Sequence, residues 1–60
     1  MYNFEAYYIN MDNDDVLSRQ IEFDGQFLGS EEECYIYAMK QAYALKQPNE
    51  LLSNLEFISC

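Results

Sequence analysis

The chain has 60 residues, of which half are apolar and ten are aromatic, and its formal net charge is −8 at neutral pH. This composition argues against a disordered chain, and the length allows a single domain, residues 1–60, with a small core. Eleven acidic residues against three basic ones exclude direct binding to nucleic acid or to an anionic membrane surface, because both need surface Lys and Arg.

The first two predicted elements are strands. Side chains alternate between two faces from Tyr2 to about Ile9 and again from Val16 to Phe23, and aromatic and β-branched residues are frequent in both segments. The Asn/Asp-rich segment between them is typical of a turn, so the strands form a hairpin. Arg19 falls in the apolar register. We therefore expect it near a strand end, or with its stem along the edge of the core.

A helix is predicted over about 31–46. Ser30 and Glu33 have the spacing of a capping box, and the three glutamates after Ser30 place negative charge at the positive end of the helix dipole. Pro48 disfavours helical geometry in the residue before it, which ends the helix.

A third strand is predicted from Leu52 to Ile58, which gives the element order β-β-α-β. The hairpin makes the first two strands antiparallel, and a right-handed crossover through the helix places the third strand beside the first. We therefore expect a two-layer α+β domain, in which one helix packs on one face of a three-stranded antiparallel sheet of order 2-1-3.

One face of each element supplies the expected core. On a helical wheel of 100° per residue, small and apolar residues form a single arc, and the strands supply the facing half. The expected core residues are Phe4, Ala6, Tyr8, Leu17, Ile21, Phe23, Cys34, Tyr35, Ala38, Met39, Ala42, Leu45, Leu55 and Phe57.

The other side of the helix carries apolar residues that this core does not need. A helix on the surface of a small domain normally keeps that side polar, so the excess indicates contact with another chain. One hypothesis is a homodimer or an accessory subunit whose interface is this helix face. The face consists of Ile36, Tyr37, Lys40 and Tyr43, with Ala44 beside them.

The sheet face that points away from the helix is predicted to carry one carboxylate from each strand. These are Glu5, Glu22 and Glu56, accompanied by Tyr7, Ile9 and Ile58. Three carboxylates suit a metal or an acid–base site, but the chain has no histidine to complement them. A solvated or partner-binding face explains them better, because tyrosine buries a large area and still presents a hydroxyl.

Other chemical sites fail on spacing or on composition. In an EF-hand reading of residues 10–21, Asp15 and Ile21 stand where glycine and glutamate are required. Cys34 lies in the first helical turn, where the dipole favours a thiolate, but adjacent glutamates oppose this and no histidine is present to act as a base. We therefore interpret Cys34 as a core residue, and expect no enzyme activity, no metal and no cofactor.

The compartment follows from what the sequence lacks. No apolar run approaches the roughly 18 residues that span a bilayer, and the N-terminus has no signal-peptide pattern. We therefore expect a cytoplasmic protein that does not associate with membranes. Cys34 and Cys60 are then expected as free thiols. A disulfide between Cys34 and Cys60 is the alternative prediction, because the helix start and the end of the third strand fall at the same end of the domain.

In its size, acidity, element order and exposed tyrosines, the chain resembles the small acidic anti-defence proteins of phages and mobile elements, especially anti-CRISPR proteins. Several of these proteins imitate nucleic acid, with carboxylates in place of phosphates in a basic groove of a host effector. The resemblance implies a non-enzymatic inhibitor in the host cytoplasm, with a basic protein partner such as a CRISPR effector nuclease or complex.

The distribution of acidic residues fits such a partner. Nine of the eleven lie at positions 1–33, against one basic residue, Arg19, and a negative field favours encounter with a basic surface. The residues predicted to bind the partner are Glu5, Tyr7, Asp12, Asp14, Asp15, Glu22, Glu31, Glu32, Glu33, Tyr37, Tyr43 and Glu56. The alternative interpretation is that acidity only keeps a small protein in solution.

Overall fold

The computed structural model describes residues 1–25 and 29–59. These residues form the strands and the helix β1 (Tyr2–Asn10), β2 (Val16–Phe23), α1 (Glu31–Leu45) and β3 (Glu50–Ser59). The strands make one sheet of order β2-β1-β3, in which β1 is antiparallel to both neighbours. The helix packs on one face of this sheet through a shared core. The predicted α+β architecture and strand order are therefore confirmed.

The β1–β2 turn is held by its own Asn and Asp residues. The Asn10 Oδ1 atom accepts a hydrogen bond from the Asp12 N–H at 2.9 Å, and the Asn13 Oδ1 atom accepts one from the Asp15 N–H at 3.0 Å. Asp14 adopts a φ of 62°, a left-handed conformation that Asp tolerates better than most residues. The turn therefore depends on the Asn10 and Asn13 side chains and on the backbone conformation of Asp14.

The helix start follows the predicted capping pattern. The Ser30 hydroxyl accepts a hydrogen bond from the Glu33 N–H at 3.2 Å, and the Glu33 carboxylate accepts one from the Gly29 N–H at 2.8 Å. Two amides that would otherwise lack a helical partner are satisfied in this way. The helix ends at Leu45, one residue earlier than predicted, because Lys46 is extended with a ψ of 134°.

Small residues on the helix allow a close approach to the sheet. Cys34, Ala38 and Ala42 face it and are buried, and the Tyr8 hydroxyl donates to the Ala42 carbonyl at 2.6 Å. The buried hydrophobic core consists of Phe4, Ala6, Tyr8, Ile21, Phe23, Cys34, Ala38, Ala42 and Leu55. All nine belong to the set predicted from the alternation of the strands and the helical wheel.

Several residues predicted for the core lie at its margin instead. Tyr35 is 44% exposed, Phe57 is 50% exposed, and Leu45 is also exposed, while Leu17 and Met39 are partly buried against the core. The helical wheel was wrong for Tyr35 and Leu45, and strand alternation was wrong for Phe57. Neither pattern includes how far the helix extends over each strand.

Tyr37 shows the opposite error. It was predicted on the outer side of the helix, but it is half-buried and packs against the core. Its ring centre lies 4.7 Å from that of Phe23 on β2. A tyrosine ring is long enough to reach the sheet from a lateral position on the helix, which an angular criterion does not capture.

The third strand begins at Glu50, two residues before the predicted Leu52. Glu50 is only 4% exposed, and its carboxylate accepts both hydrogen bonds of the Arg19 guanidinium, at 2.7 and 2.9 Å. The Gln47 N–H donates to the same carboxylate at 2.9 Å. A buried carboxylate leaves no signal in a hydrophobic pattern, and for this reason the strand start was missed.

Candidate functional site

The predicted partner-binding carboxylates lie in three separate parts of the molecule. One group is in the β1–β2 turn, a second is at the helix start, and a third is on the strands. The helix start lies beside Tyr2 and Phe57, at the end of the sheet opposite the turn. Because the molecule is elongated, 38 × 18 × 14 Å, these groups do not form one compact patch. In the same order they are Asp12, Asp14 and Asp15; Glu31, Glu32 and Glu33; and Glu5, Glu22 and Glu56.

Three predicted residues do meet, on the sheet face away from the helix. Glu5 on β1 and Glu56 on β3 are direct cross-strand partners. The Tyr7 hydroxyl donates to the Glu56 carboxylate in a long hydrogen bond of 3.4 Å, and the Ser18 hydroxyl donates to Glu5 at 3.0 Å. We call Glu5, Tyr7 and Glu56 the acidic strip. Like charges directly opposite each other destabilise a sheet.

The environment of Tyr7 keeps it a hydrogen-bond donor. Partial burial and the negative charges of Glu56 and Glu5 raise the pKa of Tyr7 above its ordinary value of 10.0. The phenol is therefore protonated throughout the physiological range. The acidic strip thus presents two carboxylates and one hydroxyl.

Glu22 extends the acidic strip onto the second edge strand. The register places Glu22 opposite Asn3 and Glu5 opposite Gln20, so Glu22 is a diagonal neighbour of Glu5. Diagonal neighbours on one face of a sheet are roughly 7–8 Å apart. The prediction of one carboxylate from each strand on the outer face is therefore confirmed in position.

The one basic residue of the three strands is turned inward. Arg19 lies on the helix side of β2, paired with Glu50, and its guanidinium carbon is 4.6 Å from the centre of the Tyr8 ring. This pairing raises the pKa of Arg19, and hydrogen bonds from Arg19 and from the Gln47 N–H lower the pKa of Glu50. Both groups are charged at neutral pH and neutralise each other. The other ten acidic residues are balanced only by Lys40 and Lys46.

The exposed side of the helix is apolar, and the predicted residues line two shallow concavities on it. Ile36 is 54% exposed and Tyr43 is 57% exposed. Together with Tyr35, Met39 and Lys40 they line a shallow groove of about 430 Å³, which we call the helix groove. Tyr37 lies on the other flank of Ile36, where it lines a second shallow concavity with Glu33, Ile36 and Lys40.

A second concavity was not predicted. It lies at the helix-start end of the domain and has a volume of about 380 Å³. We call it the aromatic pocket. Its lining residues are Tyr2, Phe4, Glu31, Cys34, Tyr35 and Phe57. Phe4, Tyr35 and Phe57 were expected in the core, because neither strand alternation nor the helical wheel shows where a sheet extends beyond the helix that covers it.

Cys34 is a buried free thiol, which agrees with the expected reduced state, and Cys60 lies outside the described residues. Among residues 1–25 and 29–59, no group of three or more His, Cys, Asp or Glu side chains is arranged to hold a metal ion. Within that same part of the chain, no helix combines the length and apolarity needed to cross a membrane.

The arrangement offers groups that recognise positive charge. Carboxylates, a tyrosine hydroxyl and aromatic ring faces all interact favourably with Lys or Arg side chains. No protein-family model, no curated protein and no solved structure matches the chain. The function is therefore inferred from the placement of these groups.

Proposed function

We propose that the protein is a non-enzymatic inhibitor whose acidic surface docks on a basic, nucleic-acid-binding site of a host defence protein. In this proposal it acts as anti-CRISPR proteins do and blocks nucleic-acid binding by a Cas effector. The observation that carries the proposal is the Glu5–Glu56 pair. The sheet holds two carboxylates opposite each other, and within the described residues neither is paired with a basic side chain.

The physical argument is one of differential stability. In the free protein the repulsion between Glu5 and Glu56 reduces stability. A basic side chain placed between the two carboxylates would attract both of them. The complex would therefore have an electrostatic stabilisation that the free protein does not have. Conflicts with local rules that are retained in a folded protein are expected at functional positions.

Long-range electrostatics support the same partner. The pairing of Arg19 with Glu50 removes one basic group from the surface, and the remaining field is strongly negative, since the chain carries a net charge of −8. Such a field speeds encounter with a basic protein. The acidic groups also extend over the 38 Å length of the molecule, which is comparable to one turn of a DNA duplex, roughly 34–36 Å.

The test is competition with nucleic acid. Purified protein is titrated into guide or target loading and cleavage by a panel of purified CRISPR effectors, and loss of loading is measured by gel shift. The wild-type protein should block at least one effector. The Glu5→Gln/Glu56→Gln variant should block it roughly tenfold less well, because two charge-assisted contacts are lost.

A matched variant separates position from net charge. Ala44→Lys/Gln47→Lys makes the same change in net charge as the double glutamine variant, but at exposed positions near the end of the helix, outside the acidic strip. This control should inhibit as the wild-type protein does. Equal loss of inhibition in both variants would show that only the net negative charge matters, and not the position of the two carboxylates. No inhibition of any effector at large excess would contradict the proposal.

The helix groove supports a second candidate function, that of a homodimer or accessory subunit. Ile36 and Tyr43 expose large apolar side chains next to each other, and contiguous apolar surface favours association. Sedimentation at tens of micromolar should then give the dimer mass, and Ile36→Ser/Tyr43→Ser should give the monomer. A monomeric wild-type protein would contradict a stable homodimer, while the acidic-strip variants should leave the mass unchanged.

A further inference from the structure

The aromatic pocket is built from rings that surround one space in different orientations. Phe4 is buried beneath it, and the Tyr35 and Phe57 ring centres lie 6.2 and 5.4 Å from that of Phe4, with interplanar angles of 69° and 70°. Tyr2 completes the group, with its ring centre 6.3 Å from that of Phe57. Tyr35 and Phe57 are both about half exposed, so they form walls of the pocket and remain accessible.

Close packing at Gly25 holds the Tyr2 wall in place. A Cβ atom at this position would overlap the Tyr2 ring and would lie 3.2 Å from the Cys34 Sγ atom. Gly25 is buried and its φ is not positive. The requirement for glycine is therefore one of space, and it maintains the ring position on which the pocket depends.

Among the residues that the structure describes, one carboxylate lines the pocket. Glu33 caps the helix through the Gly29 N–H, and Glu32 does not line the concavity, whereas Glu31 does. The three consecutive glutamates thus differ in role, although the sequence makes them look equivalent. Aromatic walls together with one carboxylate favour an organic cation, because the negative ring faces and the carboxylate both attract positive charge.

We infer that the aromatic pocket binds the guanidinium group of an arginine side chain presented by the basic partner. A guanidinium is planar, stacks on aromatic faces and pairs with a carboxylate through two parallel hydrogen bonds. A lysine ammonium is a compact, strongly hydrated point charge and uses these walls less well. The volume of about 380 Å³ falls within the range of ligand sites, roughly 300–1,000 Å³.

The inference rests on the proposed function for the source of the arginine. Phe57 follows Glu56 directly in β3, an edge strand of the sheet. A partner that approaches this edge therefore reaches the acidic strip on one face and the aromatic pocket on the other. Binding of a guanidinium by the pocket is measurable without the partner.

The test is an NMR titration with N-acetyl-L-arginine amide. The aromatic resonances of Tyr2, Phe4, Tyr35 and Phe57 should shift saturably, with a dissociation constant on the order of millimolar for one cation site. N-acetyl-L-citrulline amide has nearly the same shape without the charge, and should give no saturable shift. Equal shifts with both compounds, or arginine shifts that never saturate, would overturn the inference.

Two neighbouring glutamates provide a matched pair of variants. Glu31→Gln should weaken arginine amide binding roughly five- to tenfold, as expected for the loss of a charge-assisted contact. Glu32→Gln makes the same change in net charge one residue away and should leave binding unchanged. Tyr35→Leu keeps an apolar side chain but removes a ring, and should also weaken binding, while circular dichroism checks that each variant is folded. If the two glutamine variants weaken arginine amide binding equally, the cause is the net negative charge of the protein and not a contact with Glu31.

The inference and the proposed function fail in different ways. If the pocket binds arginine amide but no effector is inhibited, the guanidinium site stands and the inhibitor proposal falls. If an effector is inhibited equally well by Glu31→Gln, by Tyr35→Leu and by the wild-type protein, and the amide does not bind, the pocket inference falls and the inhibitor proposal stands.

Discussion

The two faces of the sheet differ in how their charged side chains are paired. On the helix side, Arg19 and Glu50 form a bidentate pair, in which Glu50 is almost completely buried. On the outer side, Glu5 and Glu56 stand opposite each other with the same charge. The first arrangement ties the start of β3 to β2 and acts in folding. The second is unfavourable for folding, and it is the contrast on which the proposed contact with a basic partner depends.

The largest expected effect breaks the inner pair. Arg19→Met leaves Glu50 buried without its partner, and an uncompensated buried charge is strongly destabilising. We expect the thermal midpoint to fall by about 10 °C or more. The double variant Arg19→Met/Glu50→Leu removes both charges and should recover most of the loss. A single variant as stable as the wild-type protein would show that the pair has no role in folding.

Acid should reproduce part of this effect. The Arg19 guanidinium and the Gln47 N–H lower the pKa of Glu50 below its ordinary value of 4.5. The stabilisation that arises from the shift is present above pH 4.5 and is lost as the pH falls through the lowered value. Thermal midpoints measured from pH 7 to pH 2 should therefore drop for the wild-type protein. The Arg19→Met/Glu50→Leu variant should lack this component, and an equal drop in both proteins would contradict it.

A smaller effect is expected next to the inner pair, at Tyr8. Tyr8→Phe removes the hydroxyl that donates to the Ala42 carbonyl, leaves that carbonyl without this donor, and should cost about 1–3 kcal/mol in the free energy of unfolding. Burial raises the pKa of Tyr8, so the stability that it confers is present below pH 10 and is lost as the pH rises further. Urea unfolding at pH 7 and above pH 10 measures both effects. An unchanged free energy of unfolding in Tyr8→Phe at pH 7 would contradict a stabilising role of the Tyr8 hydroxyl.

The smallest effect is expected on the outer face, and it has the opposite sign. Glu56→Gln removes the like-charge contact with Glu5 and should stabilise the protein by about 0.2–1 kcal/mol. Added salt should reduce this gain, because it screens the same repulsion in the wild-type protein. Loss of stability in Glu56→Gln would show that the outer carboxylates contribute to folding, and would weaken the contrast between the two faces.

Much of the fold was predictable from local signals. The capping box at Ser30 and Glu33, the Asn/Asp turn and the alternation of β1 and β2 act over a few residues, so the sequence displays them directly. The strand order 2-1-3 also followed, since chain connectivity leaves few alternatives. The candidate site was predicted less completely. The outer carboxylates were placed correctly, but the aromatic pocket and the packing of Tyr37 on Phe23 were missed.

By itself the sequence determined the elements, their order and the large excess of negative charge. Only the tertiary structure decided that Arg19 and Glu50, 31 positions apart, meet in the interior. It also decided that Tyr35 and Phe57 form accessible walls, while Tyr37 packs on Phe23. The physical reason is the range of the interactions. Caps, turns and alternation depend on neighbours in the chain, whereas burial depends on how far one element extends over another.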